Sequence, residues 1–258
     1  MDGAAQGLRV LITAGAAGIG RAFAQTFVEA GAKVFVCDID TSALDVMKLE
    51  LPQAGSVIAD VSDPAQVDKL FAAATSFLGG LDVLINNAGI AGPTARIEET
   101  SIEDWDRTLA VDVNSMFYCA RLAVPLLKAA GGGSIINLSS VAGRLGYAMR
   151  TPYSTAKWAV VGFTKSLANE LGPSNIRVNA IQPGLVDGQR LRNVIRDKAK
   201  ALGVSEKEFE AQLVSRVSLR RMVSAQDIAN TALFLATAAG SNISGQALSV
   251  CGNVESIV

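Results

Sequence analysis

Apolar positions along the chain fall into two alternating patterns. Short continuous runs at Leu8–Thr13, Lys33–Asp38, Ser56–Asp60, Asp82–Asn86, Gly133–Leu138, Ile176–Ile181 and Gln246–Val250 have the length of strands. Most are apolar at successive positions rather than at every second one, which predicts parallel strands covered on both faces. Between them, Gly18–Ala30, Pro64–Leu78, Ser101–Ala130, Pro152–Leu171 and Ser224–Thr237 carry the amphipathic spacing of helices. Two helix starts are marked: Asp63 as a cap before Pro64, and Ser224-Ala-Gln-Asp227, a capping box with Asp in place of Glu. The alternation predicts one α/β domain spanning the chain, a doubly wound parallel sheet of about seven strands with helices on both faces. No linker, repeat or low-complexity tract interrupts it. The one irregular insertion, 187–217, is charged and helical in pieces. In an open α/β sheet such a segment folds over the carboxyl ends of the strands, where ligands bind.

The first strand runs into Thr13-Ala-Gly-Ala-Ala-Gly-Ile-Gly20 and then a helix. Gly15, Gly18 and Gly20 permit a tight turn and close backbone approach. The following helix start offers free amides and the positive end of a dipole to a pyrophosphate. A glycine-rich turn can exist without a ligand, but its place after the first strand of an α/β chain favours a nucleotide and a Rossmann-type sheet. Asp38 closes the second strand, about twenty residues on, where a carboxylate accepts hydrogen bonds from a ribose diol and repels a 2′-phosphate. No Arg or Lys follows it closely or sits in the glycine turn, so the expected cofactor is NAD rather than NADP.

Composition narrows the chemistry. The chain has 258 residues, half of them hydrophobic, enough for a large core. With 23 basic and 24 acidic residues it has no excess charge for nucleic acid. It contains no histidine, which excludes histidine triads and histidine metal sites. Acid–base work must fall to Tyr, Lys, Asp, Glu or Cys. Cys37, Cys119 and Cys251 are far apart and form neither metal spacing nor a disulfide framework, as expected of small buried residues in a reducing cytosol. The N-terminus lacks the basic start of a signal peptide, and no run of about eighteen apolar residues offers a membrane span. A soluble, cytoplasmic protein is expected.

Against this background Tyr153-Ser-Thr-Ala-Lys157 stands out. A free tyrosine has a pKa of about 10 and is a poor acid or base at neutral pH. A lysine at i+4 shares its helix face, and a nearby positive charge favours phenolate. Ser140, just after the apolar run 134–138, adds a hydrogen-bond partner. The trio reads as a device for moving a proton to or from an alcohol oxygen; alone, a Tyr/Lys pair is also what a surface helix shows by chance.

Taken together these motifs resemble the short-chain dehydrogenase/reductase family, over roughly Leu8 to Asn253. The family's glycine motif maps onto Thr13–Gly20, and Asp60-Val61 onto the acidic pair that holds the adenine. Asn86-Asn-Ala-Gly89 matches the motif that supports the sheet and lines the cofactor. Asn114, Ser140, Tyr153 and Lys157 match the catalytic residues. Pro183-Gly184 follows the sixth strand as in the family, with Val186 toward the nicotinamide amide. The resemblance implies cofactor contacts at Ala14, Gly15, Ala17, Gly18, Ile19, Gly20, Asp38, Ile39, Asp60, Val61, Asn87, Ala88, Gly89, Tyr153, Lys157, Pro183, Gly184 and Val186. It implies that Tyr153 takes the hydroxyl proton and that Lys157 lowers the tyrosine's pKa and bonds the nicotinamide ribose. Asn114 would hold a water that links Lys157 to solvent. It also implies a homo-oligomer, a tetramer or dimer, through the helices 101–130 and 152–171, whose apolar residues include Met116, Phe117, Val160, Val161 and Phe163. Three positions depart from the pattern: Ala14 for the first glycine, Gly188 for a threonine, and Cys251 for an aspartate.

The substrate is less sharply drawn. Ser140, Tyr147, Arg150, Tyr153, Gly184 and Arg190 are candidates for its pocket. Arg144, Arg150 and Arg190 could each pair with a carboxylate, or be solvated or in ordinary salt bridges. The expected activity is NAD-dependent oxidation of a secondary alcohol: a polyol or sugar, a hydroxy acid, or a cyclic or aryl alcohol. An NADPH-dependent 3-oxoacyl thioester reductase and a non-catalytic nucleotide-bound regulatory protein are the alternatives.

Overall fold

In the computed structural model, which describes residues 3–254 and 257, the seven apolar runs become seven strands of one sheet. Met1 and Asp2, part of the N-terminus read above, and Glu255, Ser256 and Val258 lie outside the described residues. The strands are β1 (Arg9–Thr13), β2 (Lys33–Asp38), β3 (Gly55–Ile58), β4 (Val83–Asn86), β5 (Gly133–Leu138), β6 (Ile176–Pro183) and β7 (Ala247–Val250). All pairings are parallel, in the order β3-β2-β1-β4-β5-β6-β7. Strand order reverses between β1 and β4, and the crevice at such a switch point is where an open α/β sheet takes its ligand.

The continuity of the apolar runs has a direct cause. Val10, Ile12, Val34, Val36 and Ile85 enter a core on one face of the sheet, and Leu11, Phe35, Cys37 and Leu84 enter a second core on the other. Helices α1 (Gly18–Glu29) and α9 (Ala225–Ala236) cover the first face through Phe23, Phe27, Ile228 and Leu233. Helices α3 (Pro64–Leu78), α5 (Ser115–Ala129) and α6 (Thr151–Leu171) cover the second through Leu70, Phe71, Cys119, Leu127 and Leu171. Asp63 caps α3 by accepting from the Ala65 amide, and Ser224 and Asp227 close the predicted capping box of α9.

Two elements differ from the sequence expectation. Helix α2 (Thr41–Glu50) was not foreseen; only Leu44 and Met47 are buried along it, too narrow a stripe to register as amphipathic. The stretch 101–130 is two helices rather than one. Helix α4 (Ile102–Leu109) leads into a wide π-type turn at Ala110–Asn114, and α5 follows. Such turns re-aim the side chains they carry, often at functional sites. The insertion forms α7 (Gln189–Leu202) and α8 (Glu206–Ser215), which share a small core of Ile195, Ala199, Phe209 and Leu213. Among the described residues, no helix is long and apolar enough to cross a membrane.

Candidate active site

The carboxyl ends of β1, β4, β5 and β6 open into a cavity of about 430 Å³ that runs from the glycine turn to Arg150. At one end the turn after β1 is fastened to the loop after β4. The Thr13 hydroxyl accepts from the amides of Asn87 and Ala88, each at 3.0 Å, and the Asn87 side chain donates back to the carbonyls of Thr13 and Ala14 at 3.0 and 2.9 Å. A β-carbon on Gly20 would lie 1.9 Å from the Ala14 carbonyl oxygen, so only glycine lets α1 start this close to the turn. Gly15 is pressed against Val36, whose Cβ would be 2.6 Å from an added methyl. Helix α1 begins without a side-chain cap and with no acidic residue in its first turn, leaving its amides to an anion. Ala14, where the family's first glycine sits, holds φ at 50°, the left-handed conformation that glycine adopts without strain.

Asp38 lies at the edge of this cradle, its carboxylate accepting from the amides of Ala16 and Asp40 at 3.1 and 3.2 Å. Ala14, Ala17, Gly18, Ile19, Gly20, Asn87, Gly89, Pro183, Gly184 and Val186 line the cavity with it. Gly15, Ile39, Asp60, Val61 and Ala88, also expected among the cofactor contacts, lie outside this lining. Ile39 projects outward, and Ala88 and Val61 are buried in the second core. The Asp60 carboxylate is engaged by Ser62 and, at 3.3 Å, by Arg107. Burial pushes its pKa up, but the bonds from Ser62 and Arg107 outweigh burial and hold it below the usual carboxylate range.

Ser140, Tyr153 and Lys157 meet at the other end of the same cavity. Ser140 follows β5 in extended conformation, and its hydroxyl accepts from the Ala142 amide at 3.1 Å while still facing the cavity. Tyr153 sits in the first turn of α6, half-buried, with the Lys157 ammonium 5.5 Å from its ring centre. The i+4 spacing thus places both residues on one face of the helix. The helix is pinned against the turn after β5: the Ser139 hydroxyl donates to the Lys157 carbonyl at 2.7 Å, and a β-carbon on Gly143 would lie 2.5 Å from that same oxygen. Lys157 is buried, donates to the Leu138 carbonyl at 3.1 Å, and faces a carboxylate oxygen of Asp112 at 3.1 Å. The other Asp112 oxygen accepts from the Ile90 amide at 2.6 Å.

Asn114 does not reach this group of side chains. Asn114 is exposed at the end of the π-type turn, and its side chain bonds nothing among the described residues. The wide turn directs Asp112, two positions earlier and fully buried, to the lysine instead. The sequence carried one sign of this: a lone acid inside the apolar stretch Leu109-Ala-Val-Asp-Val113.

On the substrate side, Arg150 precedes α6 and is 2 % exposed. Its guanidinium carbon lies 5.3 Å from the ring centre of Tyr147 and 5.0 Å from that of Tyr153, and Nη2 donates to the Ala91 carbonyl at 2.6 Å. Lys198 of α7 donates to the Ala148 carbonyl at 2.9 Å and stands 4.7 Å over the Tyr147 ring. Burial, and then the charge of Arg150, bring the Lys198 ammonium down to about 8. Burial pushes the Tyr147 phenol up, with Arg150 opposing. Lys198 escaped the sequence reading, although it continues the inner face of α7 marked by Leu191 and Ile195. Arg190 reaches across the cleft to the Gly89 carbonyl, whereas Arg144 turns away to the Val254 carbonyl at 2.8 Å. Gly188 lines the cavity, and Cys251 is buried behind Gly184, where it would meet an added methyl at 2.7 Å.

The sequence matches the family model described as enoyl-(acyl carrier protein) reductase over residues 14–253. The chain belongs to the short-chain dehydrogenase/reductase family. It is 35 % identical to a probable galactose dehydrogenase of Rhizobium meliloti, over 95 % of this chain and 94 % of that one. It is 37 % identical to a galactitol 2-dehydrogenase of Agrobacterium fabrum, over 94 % and 95 % of the two chains. Its fold matches the crystal structure of NAD+-bound xylitol dehydrogenase with a TM-score of 0.92 at 27 % identity, covering 96 % of this chain and 99 % of that one. This short-chain dehydrogenase/reductase is an oxidoreductase acting on alcohols, built as the expected single α/β sheet. The left-handed Ala14 is the local strain that departure from the family's glycine entails.

Proposed function

We propose that the protein transfers a hydride between a secondary alcohol and NAD, with Tyr153 as the acid–base group. The observation that carries this reading is the meeting of Ser140, Tyr153 and Lys157 in one cavity with the glycine turn and Asp38. The cradle fits a dinucleotide: Gly20 lets the start of α1 pack directly against the Ala14 carbonyl, the α1 amides are uncapped, and Asp38 presents a carboxylate where a 2′-phosphate would be repelled. When bound, NAD supplies the hydride acceptor. Ser140 orients the alcohol oxygen by hydrogen bonding, and Tyr153 takes its proton, or returns it in the reverse direction. Lys157 places its positive charge beside the ring of Tyr153, and Asp112, rather than Asn114, holds the ammonium from behind. The insertion 187–217 closes the alcohol end through Arg190, Leu191, Val194 and Leu213.

Relatives named as galactitol and xylitol dehydrogenases favour an alcohol of this general kind, and Asp38 favours NAD over NADP. The exposed Phe117 on α5 and Trp158 on α6 offer apolar surface to a second copy, in keeping with a homodimer or tetramer; Met116 and Val160 face the core. Three buried, unpaired cysteines suit a reducing cytoplasm.

The test is reduced-nicotinamide absorbance with NAD or NADP across a panel of secondary alcohols. Turnover with NAD and little with NADP is expected. Tyr153→Phe should lower kcat about a thousandfold while NAD still binds. Near-normal turnover in that variant would overturn the mechanism, and turnover with NADP alone would overturn the role of Asp38.

A further inference from the structure

Arg150 combines features that ordinary structural arginines lack. It is 2 % exposed, yet its Nε and Nη1 groups have no hydrogen-bond partner among the described residues. Only Nη2 is engaged, by the Ala91 carbonyl. The rings of Tyr147 and Tyr153 flank the guanidinium at 5.3 and 5.0 Å, and such stacking steadies the cation without accepting its N–H groups. No aspartate or glutamate among the described residues forms an ion pair with it; the acid nearest the reacting groups, Asp112, faces Lys157. A buried guanidinium with idle donors is costly unless an anion completes it. Arg150 also lines the cavity beside Ser140, Tyr147 and Tyr153, so that anion would enter by the same route as the substrate.

We propose that Arg150 recognises a carboxylate on the substrate, so that the alcohol taken by this site is a hydroxy acid. This rests on the alcohol reading above and narrows it. Arg150 stands three residues before Tyr153 and touches its ring, so the acid group and the reacting hydroxyl belong to one small molecule. The other guanidinium lining the cavity, Arg190, is engaged by the Gly89 carbonyl, and Arg150 among the apolar walls of Leu138, Val141, Leu185 and Val194 suits a singly charged carboxylate. A phosphate, with its second charge and further acceptors, would leave more of itself unmatched there.

The first test is calorimetric titration of the NAD-loaded protein with cyclohexanecarboxylate and with the isosteric cyclohexanecarboxamide. The carboxylate should bind at least about tenfold more tightly. Arg150→Leu should erase that preference and Arg150→Lys should retain part of it. Equal binding by the unaltered protein, or an undiminished preference in Arg150→Leu, would overturn the proposal. The comparison on the unaltered protein stands even if Arg150→Leu fails to fold. The second test is the ratio of kcat/KM for 4-hydroxycyclohexanecarboxylate over its amide, which should exceed one by a similar factor and fall toward one in the variant. Carboxylate preference without oxidation of any hydroxy acid would overturn the alcohol reading while leaving the anion site of Arg150 in place. Oxidation of neutral alcohols with no carboxylate preference would do the reverse.

Discussion

The two ends of the cavity are built on different principles. At the cofactor end, contacts are between backbone and backbone or between short side chains and backbone: Thr13 and Asn87 lock two loops, and Gly15 and Gly20 allow approaches that no other residue permits. At the substrate end, long side chains from separate elements converge: Arg150 from the start of α6, Lys198 from α7, Tyr147 from the preceding loop, and Leu213 from α8. A backbone cradle serves one invariant ligand, whereas a wall of long side chains on an inserted helical pair can change its chemistry without disturbing the sheet. Asp112 and Lys157 stand at the seam between the two.

The sharpest way to break that division is at the seam. Asp112→Leu leaves Lys157 buried without its counter-charge and the Ile90 amide without an acceptor, and should cost about 4 kcal/mol in denaturant unfolding. Asp112→Asn, which keeps an acceptor for Ile90, should cost less; equal losses would mean that the bond to Ile90 adds nothing beyond the ion pair. Next is Gly20→Ala, which forces the turn and α1 apart and should weaken NAD binding by roughly a hundredfold, about 3 kcal/mol, measured by titration. If NAD affinity hardly changes, the glycine cradle is not the cofactor site. On the substrate side, Phe209→Ala empties the small core under α7 and α8. Local loosening there should raise KM for the alcohol about tenfold and leave the NAD dissociation constant alone; parallel changes in both would show that the two ends are not independent. The smallest effect is a gain. Ala14→Gly relieves a left-handed alanine at some cost in chain entropy and should stabilise the protein by about 0.5 kcal/mol.

The same division separates what was legible in the chain from what was not. The seven strands, the cap at Asp63 and the capping box at Ser224 follow from local patterns and stand in the structure nearly as read. Tyr153 and Lys157 were legible because one helical turn is a local relation. Helix α2 was missed because two buried residues in ten leave too faint a stripe. The neighbour of Lys157 was not legible: Asn114 stands exposed at the end of the wide turn, and Asp112, two positions earlier, meets the lysine.

What the sequence determined by itself is the parallel sheet, the glycine turn, the acid after β2 and the pairing of Tyr153 with Lys157 on one helix face, each set by sterics or periodicity over a few neighbouring residues. What only the tertiary structure decided is which charges are buried and which are partnered. Arg144, Arg150 and Arg190 are equivalent as letters; folding turns the first toward Val254, spans the cleft with the third, and leaves the second buried between two tyrosines with idle donors. The physical reason is that a charge's desolvation and pairing depend on groups brought from distant segments, as Ala91 and Lys198 are brought to Arg150, and no local pattern encodes that meeting.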